Sequence, residues 1–240
     1  RRLGGDPRFS VDLDFGLRPE GKNGPIVRSL DAYRAYYGRW SLTWEAQALL
    51  RARPVAGDVG LGQDFIELAD SIRYPESFAE SEIREVRRIK ARVEAERLPR
   101  GADPKRHLKL GPGGISDVEW LVQLLQLRFA EANQSLRTES TLVALEAAVE
   151  LGHLSEADRM KLQDSWVLAS RIRSAVKLWS DRASDTLPVD RIELEGIAGI
   201  LGMPEGRTTE LEERWFAASR RARNVFESEF FGYNDEGLYR

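Results

Sequence analysis

HLKLGPGGISDVEWLVQLLQL, residues His107 to Leu127, decides how the rest of this chain is read. Lys109 precedes Gly111, Pro112, Gly113 and Gly114, a run that ends any preceding helix and favours a tight turn with unusual backbone angles. A helix is predicted to start at Ile115, because Ile115, Val118, Leu121, Val122, Leu125 and Phe129 recur at steps of three and four. Asp117 and Glu119 fall in its first turns, where carboxylates suit the positive helix end. By itself a glycine-rich turn before a helix is more often a connection than a site. The flanking segments must decide.

Downstream, every segment reads as helix: 115 to about 132, Thr141 to Leu151 closed by Gly152, Ser155 to about Arg182, Asp190 to Leu201 closed by Gly202, and Arg207 to about Phe231. Ser155 with Asp158 makes a capping-box variant, and Trp120, Trp166, Trp179 and Trp215 are large core or interface groups. Five such helices with short connections predict a bundle. Upstream, Phe78 to Arg97 carries the stripe Phe78, Ile83, Val86, Ile89 and Val93, with Arg84, Arg87, Arg88, Lys90 and Arg92 on the sides expected to be exposed, so a solvated connecting helix is predicted. Arg100, Lys105 and Arg106 follow it, which makes the surroundings of Lys109 basic and suited to a phosphate-bearing ligand.

At the other end, Phe9 to Leu17 alternates, with Val11, Leu13, Phe15 and Leu17 facing one way and Ser10, Asp12, Asp14 and Gly16 the other, the pattern of a strand with one buried face. Asp12 and Asp14 on its polar face can converge on a divalent cation, and a solvated strand face carries the same spacing. Pro19 and the EGKNG run (20–24) end the strand. Helices are expected from Ser29 to Trp40, from Leu42 to Leu50 and from Asp64 to about Arg73, with a short edge-type strand at Arg51 to Val55 between the last two.

Composition excludes several classes. A chain of 240 residues can form one large domain or two moderate ones, and 42% apolar with 31% charged residues describes a water-soluble, helix-rich protein. A net charge of -3 argues against a general nucleic-acid binder. With no cysteine and two histidines, a thiolate or histidine-built metal site is out of reach, which leaves a hard, oxygen-ligated cation. The absence of a long apolar run or a signal pattern predicts a cytoplasmic protein with no membrane partner. The chain starts without Met, as expected of a segment from something longer.

Three stretches, LDFGLRPEGKNGPIVRSLDAYRAYY (13–37), WSLTWEAQALLRARPVAGD (40–58) and LKLGPGGISDVEWLVQLLQL (108–127), together resemble the glutamine synthetase adenylyltransferase/deadenylyltransferase family. The resemblance covers essentially the whole chain, and its end resembles the C-terminal, adenylylating half of such enzymes. It implies an α+β, mostly helical chain: residues 1 to 75 as the C-terminal remainder of a nucleotidyltransferase domain, and 76 to 240 as a helical bundle domain. In that family a Gly-Ser motif and an Asp-x-Asp pair are completed by a third carboxylate, an Asp followed four residues later by Arg and then Pro. Asp14, ahead of Arg18 and Pro19, matches, and Asp12 is the second-choice ligand. No Gly-Ser motif occurs in this sequence, and the family's Gly-Ser motif with its own Asp-x-Asp pair is expected upstream of Arg1. The implied cofactor is Mg²⁺ and the substrate ATP, whose phosphates Arg18, Lys22 and Lys109 are the candidates to hold. The implied partners are glutamine synthetase and a PII-type regulatory protein. Two other readings stay open: a non-catalytic scaffold that binds those partners, and a uridylyltransferase relative.

Overall fold

In a computed structural model, residues 2–3, 11–12 and 14–232 are described, the first four as backbone only. The chain is mostly helical and divides into two compact units, Arg1–Pro75 and Glu76–Arg240.

In the first unit, Arg2–Leu3 (β1) and Val11–Asp12 (β2) pair antiparallel, with Leu3 opposite Val11. The strand expected over Phe9 to Leu17 is therefore corrected: its described part is Val11–Asp12, and Phe9, Ser10 and Leu13 lie outside the described residues. From Asp14 the chain turns instead of extending, because the Gly16 N–H closes onto the Asp14 carboxylate and Arg18 draws in the Phe15 carbonyl. Phe15 and Leu17 are accordingly 37% and 69% exposed, so no buried strand face continues through them.

Three helices follow, Leu30–Trp40 (α1), Thr43–Leu49 (α2) and Val59–Arg73 (α3). The Ser29 and Asp58 side chains cap α1 and α3 by accepting from Ala32 N and Leu61 N, which starts α3 five residues before the apolar pattern alone suggested. Tyr37, Leu49 and Ala69 form the small core, with Tyr33 and Phe65, edge-on to each other, packed against it. No strand forms at Arg51 to Val55. The carbonyls of Leu49 and Ala52 are taken by the buried guanidinium of Arg73, which leaves that segment as a strap over α3.

The second unit holds Glu80–Arg97 (α4), Ile115–Phe129 (α5), Thr141–Glu150 (α6), Glu156–Ser180 (α7), Arg191–Ile200 (α8) and Thr208–Phe226 (α9), the last continued by one π-helical turn, Glu227–Phe231. These bounds follow the apolar periodicity of the sequence closely. Ser155 caps α7 by accepting from Asp158 N, and its hydroxyl donates to the Asp158 carboxylate, closing the box expected there. Gly152 and Gly202 end their helices at φ 74 and 79, angles at which a β-carbon is strained. The packing is densest along α7 and α9, and Ile172, Val176, Leu194, Ile197, Leu211 and Trp215 make the centre of the core. Trp215 is wholly buried and its indole N–H donates to the Lys105 carbonyl at 2.8 Å. Trp179 is 46% exposed and lies across Gly196, so it covers α8 from outside instead of filling the core.

Candidate functional site

The loop from Asp14 to Gly24 is assembled from its own backbone. Asp14 is exposed, and its Oδ1 accepts from Gly16 N at 2.8 Å, while among the described residues its Oδ2 has no partner. The Arg18 guanidinium donates to three carbonyls of the same loop, those of Phe15 at 2.6 Å, Gly24 at 2.9 Å and Lys22 at 3.3 Å. Arg18 therefore stiffens the loop that presents Asp14, and the exposed Lys22 is the freer cation of the two. Glu20 takes a left-handed φ of 62 and is held there by an ion pair with Arg28. Chemically, the loop offers one oriented carboxylate and, on the same loop, one exposed ammonium. A hard cation fits that carboxylate as one ligand among several. Among the described residues no group of three or more His, Cys, Asp or Glu is placed to hold a metal ion, and the Asp12 side chain lies outside them.

Lys109 lies in the second unit, exposed on the shoulder of the glycine-rich turn. That turn lacks a side-chain cap. Its own carbonyls do the work, Leu108 O and Lys109 O accepting from the first N–H groups of α5, Ile115 and Ser116. The approach to the turn is pinned as well: Leu108 N donates to Asp185 O, Leu187 N to Arg106 O, and Leu110 N to the Nδ1 of the buried His107. Burial holds the His107 ring below the usual imidazole range, which keeps that nitrogen an acceptor. Gly113 sits at φ 70 with α9 so close that an added β-carbon would overlap the Ser219 carbonyl. The Gly113 carbonyl accepts from the buried Ser165 hydroxyl of α7 at 2.6 Å.

Below the turn lies a buried cluster of ion pairs. Asp117 Oδ1 meets Lys90 Nζ at 2.5 Å, and Oδ2 accepts from Gly113 N at 2.7 Å and Arg223 Nη1 at 3.0 Å. Both Asp117 and Lys90 are 1% exposed. Glu94 bridges the same two cations, at 3.0 Å from Lys90 and 2.8 Å from Arg223, and Glu227 takes the Arg223 Nε at 2.7 Å. Burial works against a charged Glu94, yet Arg223 and Lys90 hold its carboxyl below the ordinary glutamate value. Phe226 closes the cluster, with the Lys90 ammonium 5.2 Å from its ring centroid.

Lys90 is thus not on an exposed side of a solvated helix, as its neighbours Arg88 and Arg92 suggested, and this is the main correction to the sequence reading of α4. The signal was available. Ile83, Val86 and Lys90 stand at steps of three and four and are the buried positions of α4, so the lysine occupies the apolar stripe itself. Asp117 was legible as a first-turn carboxylate of α5, but nothing local showed that it faces inward. Arg223 comes from 106 residues further along the chain, and only the tertiary fold brings it in.

Comparison with known proteins adds to this geometry. Residues 86–230 match the family described as GlnD PII-uridylyltransferase, and residues 6–68 the family described as glutamate-ammonia ligase adenylyltransferase. Three similar proteins share the name bifunctional glutamine synthetase adenylyltransferase/adenylyl-removing enzyme. The one from Leifsonia xyli subsp. xyli is 60% identical over 231 residues, which are 96% of this chain and 23% of that protein. For Streptomyces coelicolor the identity is 53%, over 94% of this chain and 22% of the relative. For Mycobacterium leprae it is 48%, over 92% and 22%. The chain therefore spans less than a quarter of the length of the curated relatives it matches.

Proposed function

The chain belongs to the family of bifunctional glutamine synthetase adenylyltransferase/adenylyl-removing enzymes, and from that premise we propose that it is part of an enzyme that transfers AMP from ATP to a tyrosine of glutamine synthetase. The observation that carries the reading is the Asp14 loop, an exposed carboxylate with one oxygen fixed by Gly16 and the other free, four residues ahead of Arg18 and Pro19.

In this reading residues 1–75 are the C-terminal remainder of an α+β nucleotidyltransferase domain, and 76–240 are the helical domain behind it. Mg²⁺ ions, when bound, activate the attacking phenol oxygen and neutralise charge on the phosphates. Asp14 contributes its free Oδ2 to such a site, with Asp12 as the second candidate, and the remaining carboxylates come from outside these 240 residues. Arg18 keeps Asp14 in place through its bonds to the loop carbonyls, so its contribution is orientation, worth much of the rate in such transfers. Lys22, exposed on the Asp14 loop, is the candidate of the first unit to hold phosphate oxygens, and Lys109, exposed on the glycine-rich turn, is that of the second. The protein partners of the whole enzyme are glutamine synthetase and a PII-type regulator.

A second reading, a uridylyltransferase relative, draws support from the match over residues 86–230. The identities of 48 to 60% to adenylyltransferases over more than nine-tenths of the chain favour the first. The test is to incubate the polypeptide that carries these residues with glutamine synthetase, Mg²⁺ and labelled ATP or UTP. Incorporation of AMP is expected, and the 240 residues alone are expected to fold and give none. Robust transfer by the 240 residues alone would end the assignment of Asp14 as a lone contributor to a shared site, and incorporation from UTP would favour the second reading.

A further inference from the structure

Between α7 and α9 runs a groove of about 380 Å³ that gathers three arginines from the two helices. Its floor is Ala217 and Ala218 of α9 with Val167 and Leu168 of α7, side chains short enough to leave a trough between two long helices. Its rim carries Arg171 from α7 and Arg214 and Arg221 from α9, all exposed. Other arginines of the same helices are taken by carboxylates, Arg159 of α7 by Glu156, Arg173 of α7 by Asp185 and Arg223 of α9 by Glu94. Among the described residues none of the three groove arginines makes an ion pair or a hydrogen bond. Gln163 adds a fourth donor: its carbonyl oxygen is taken by Arg159, which turns the amide N–H₂ away from that pair. Asp164, exposed at the rim, is the one carboxylate in the lining.

We propose that this groove binds a ligand carrying a chain of phosphates. Guanidinium forks pair with phosphate oxygens in a planar, two-point fashion. Arg214 and Arg221 stand two turns apart on one face of α9, about 10 Å along the axis, with Arg171 on the facing helix. A single phosphate is too short to engage both α9 arginines without bending them inward. A linear triphosphate spans that distance. The volume lies within the range of small-molecule sites, roughly 300–1,000 Å³. The groove is built entirely from the helical unit and uses none of the residues assigned above to the transfer site, so the inference stands apart from the proposed activity.

Inorganic triphosphate and ATP, each without divalent metal, are titrated into the chain by calorimetry, with the wild type compared with an Arg171→Gln/Arg214→Gln/Arg221→Gln variant and with Asp14→Asn. Saturable binding of one triphosphate per chain is expected, weakened as salt is raised, lost by about ten-fold or more in the triple variant and unchanged in Asp14→Asn. Because the three arginines are exposed, the triple variant is expected to keep the circular dichroism spectrum and to melt no lower than the wild type when no anion is present. Equal affinities for triphosphate and ATP would identify a free polyphosphate as the ligand class, and a ten-fold preference for ATP a nucleotide whose body lies on Val167 and Leu168. Absence of binding at millimolar triphosphate, or equal binding by a folded triple variant, would overturn the proposal.

Discussion

The role of Gly113 can be reduced to one missing atom. Its φ of 70 and the approach of the Ser219 carbonyl leave no room for a β-carbon, so Gly113→Ala forces α9 away from the turn and strains the backbone together. A loss of about 3 kcal/mol or more is expected in denaturant unfolding, against no loss at the open, helical Gly199, where nothing lies near and alanine is the better helix former. His107 gives a second prediction. Its folded pKa is lowered by burial, so the neutral ring contributes stability that is fully present above the unfolded value near 6.5 and is lost as pH falls through the lower folded value. Protonation of Nδ1 would also set an N–H against the Leu110 N–H it now accepts. Melting temperature should therefore fall as pH drops below about 6.5, and His107→Asn, which can keep an acceptor for Leu110 N, should reduce that slope. His153 is shifted in the same direction by burial and by Arg128, so part of the slope should remain. At this scale the glycines and Asp117 were legible as a turn and a helix start. That the carboxylate points inward was not, because its partners come from α4 and α9.

Among the elements, α4 shows most clearly what periodicity hides. Three of its buried positions, Ile83, Val86 and Lys90, form the stripe that packs on the unit, and the lysine is anchored by Asp117 of α5 and Glu94 of α4 itself. Arg87 adds a bond to the Phe230 carbonyl at 2.5 Å. Burying charges has a large desolvation cost, so breaking the set costs more than its net contribution. Lys90→Ala, which leaves Asp117 buried with one cation fewer, should destabilise the helical unit by about 3–5 kcal/mol. Lys90→Met with Asp117→Asn should cost clearly less than the sum of the single changes, since each alone strands the other partner. The depressed Glu94 carboxyl adds an acid-side dependence: its stabilisation is present above the unfolded value near 4.5 and is lost as pH falls below it. Glu94→Gln should flatten the unfolding profile in that range. Helix existence was readable from apolar spacing and caps such as Ser29, Ser155 and Asp190. The strand at Phe9 to Leu17 misled because alternation records side-chain type alone, and the Asp14–Gly16 and Arg18–Phe15 hydrogen bonds turned the backbone out of it.

At the scale of the molecule, two compact units carry different parts of the account: a loop presenting Asp14 in the first, and a helical body in the second whose glycine-rich turn is locked over a buried ion cluster. The similarity to much longer relatives is why the reading concerns a share of an active site instead of a complete one. Three motif-bearing stretches of the sequence led to the family, whereas the arginine groove between α7 and α9 was invisible to them, since Arg171, Arg214 and Arg221 meet only when the two helices are side by side. The central claim is that Asp14 supplies one metal-ligating carboxylate to AMP transfer. It is tested most directly by measuring labelled AMP incorporation into glutamine synthetase by the intact parent enzyme, wild type against Asp14→Asn, with the fold checked by circular dichroism. The account predicts a folded variant with activity reduced by about 10²-fold or more, as loss of a group stabilising the transition state does. Turnover within a factor of a few of the wild type would contradict it.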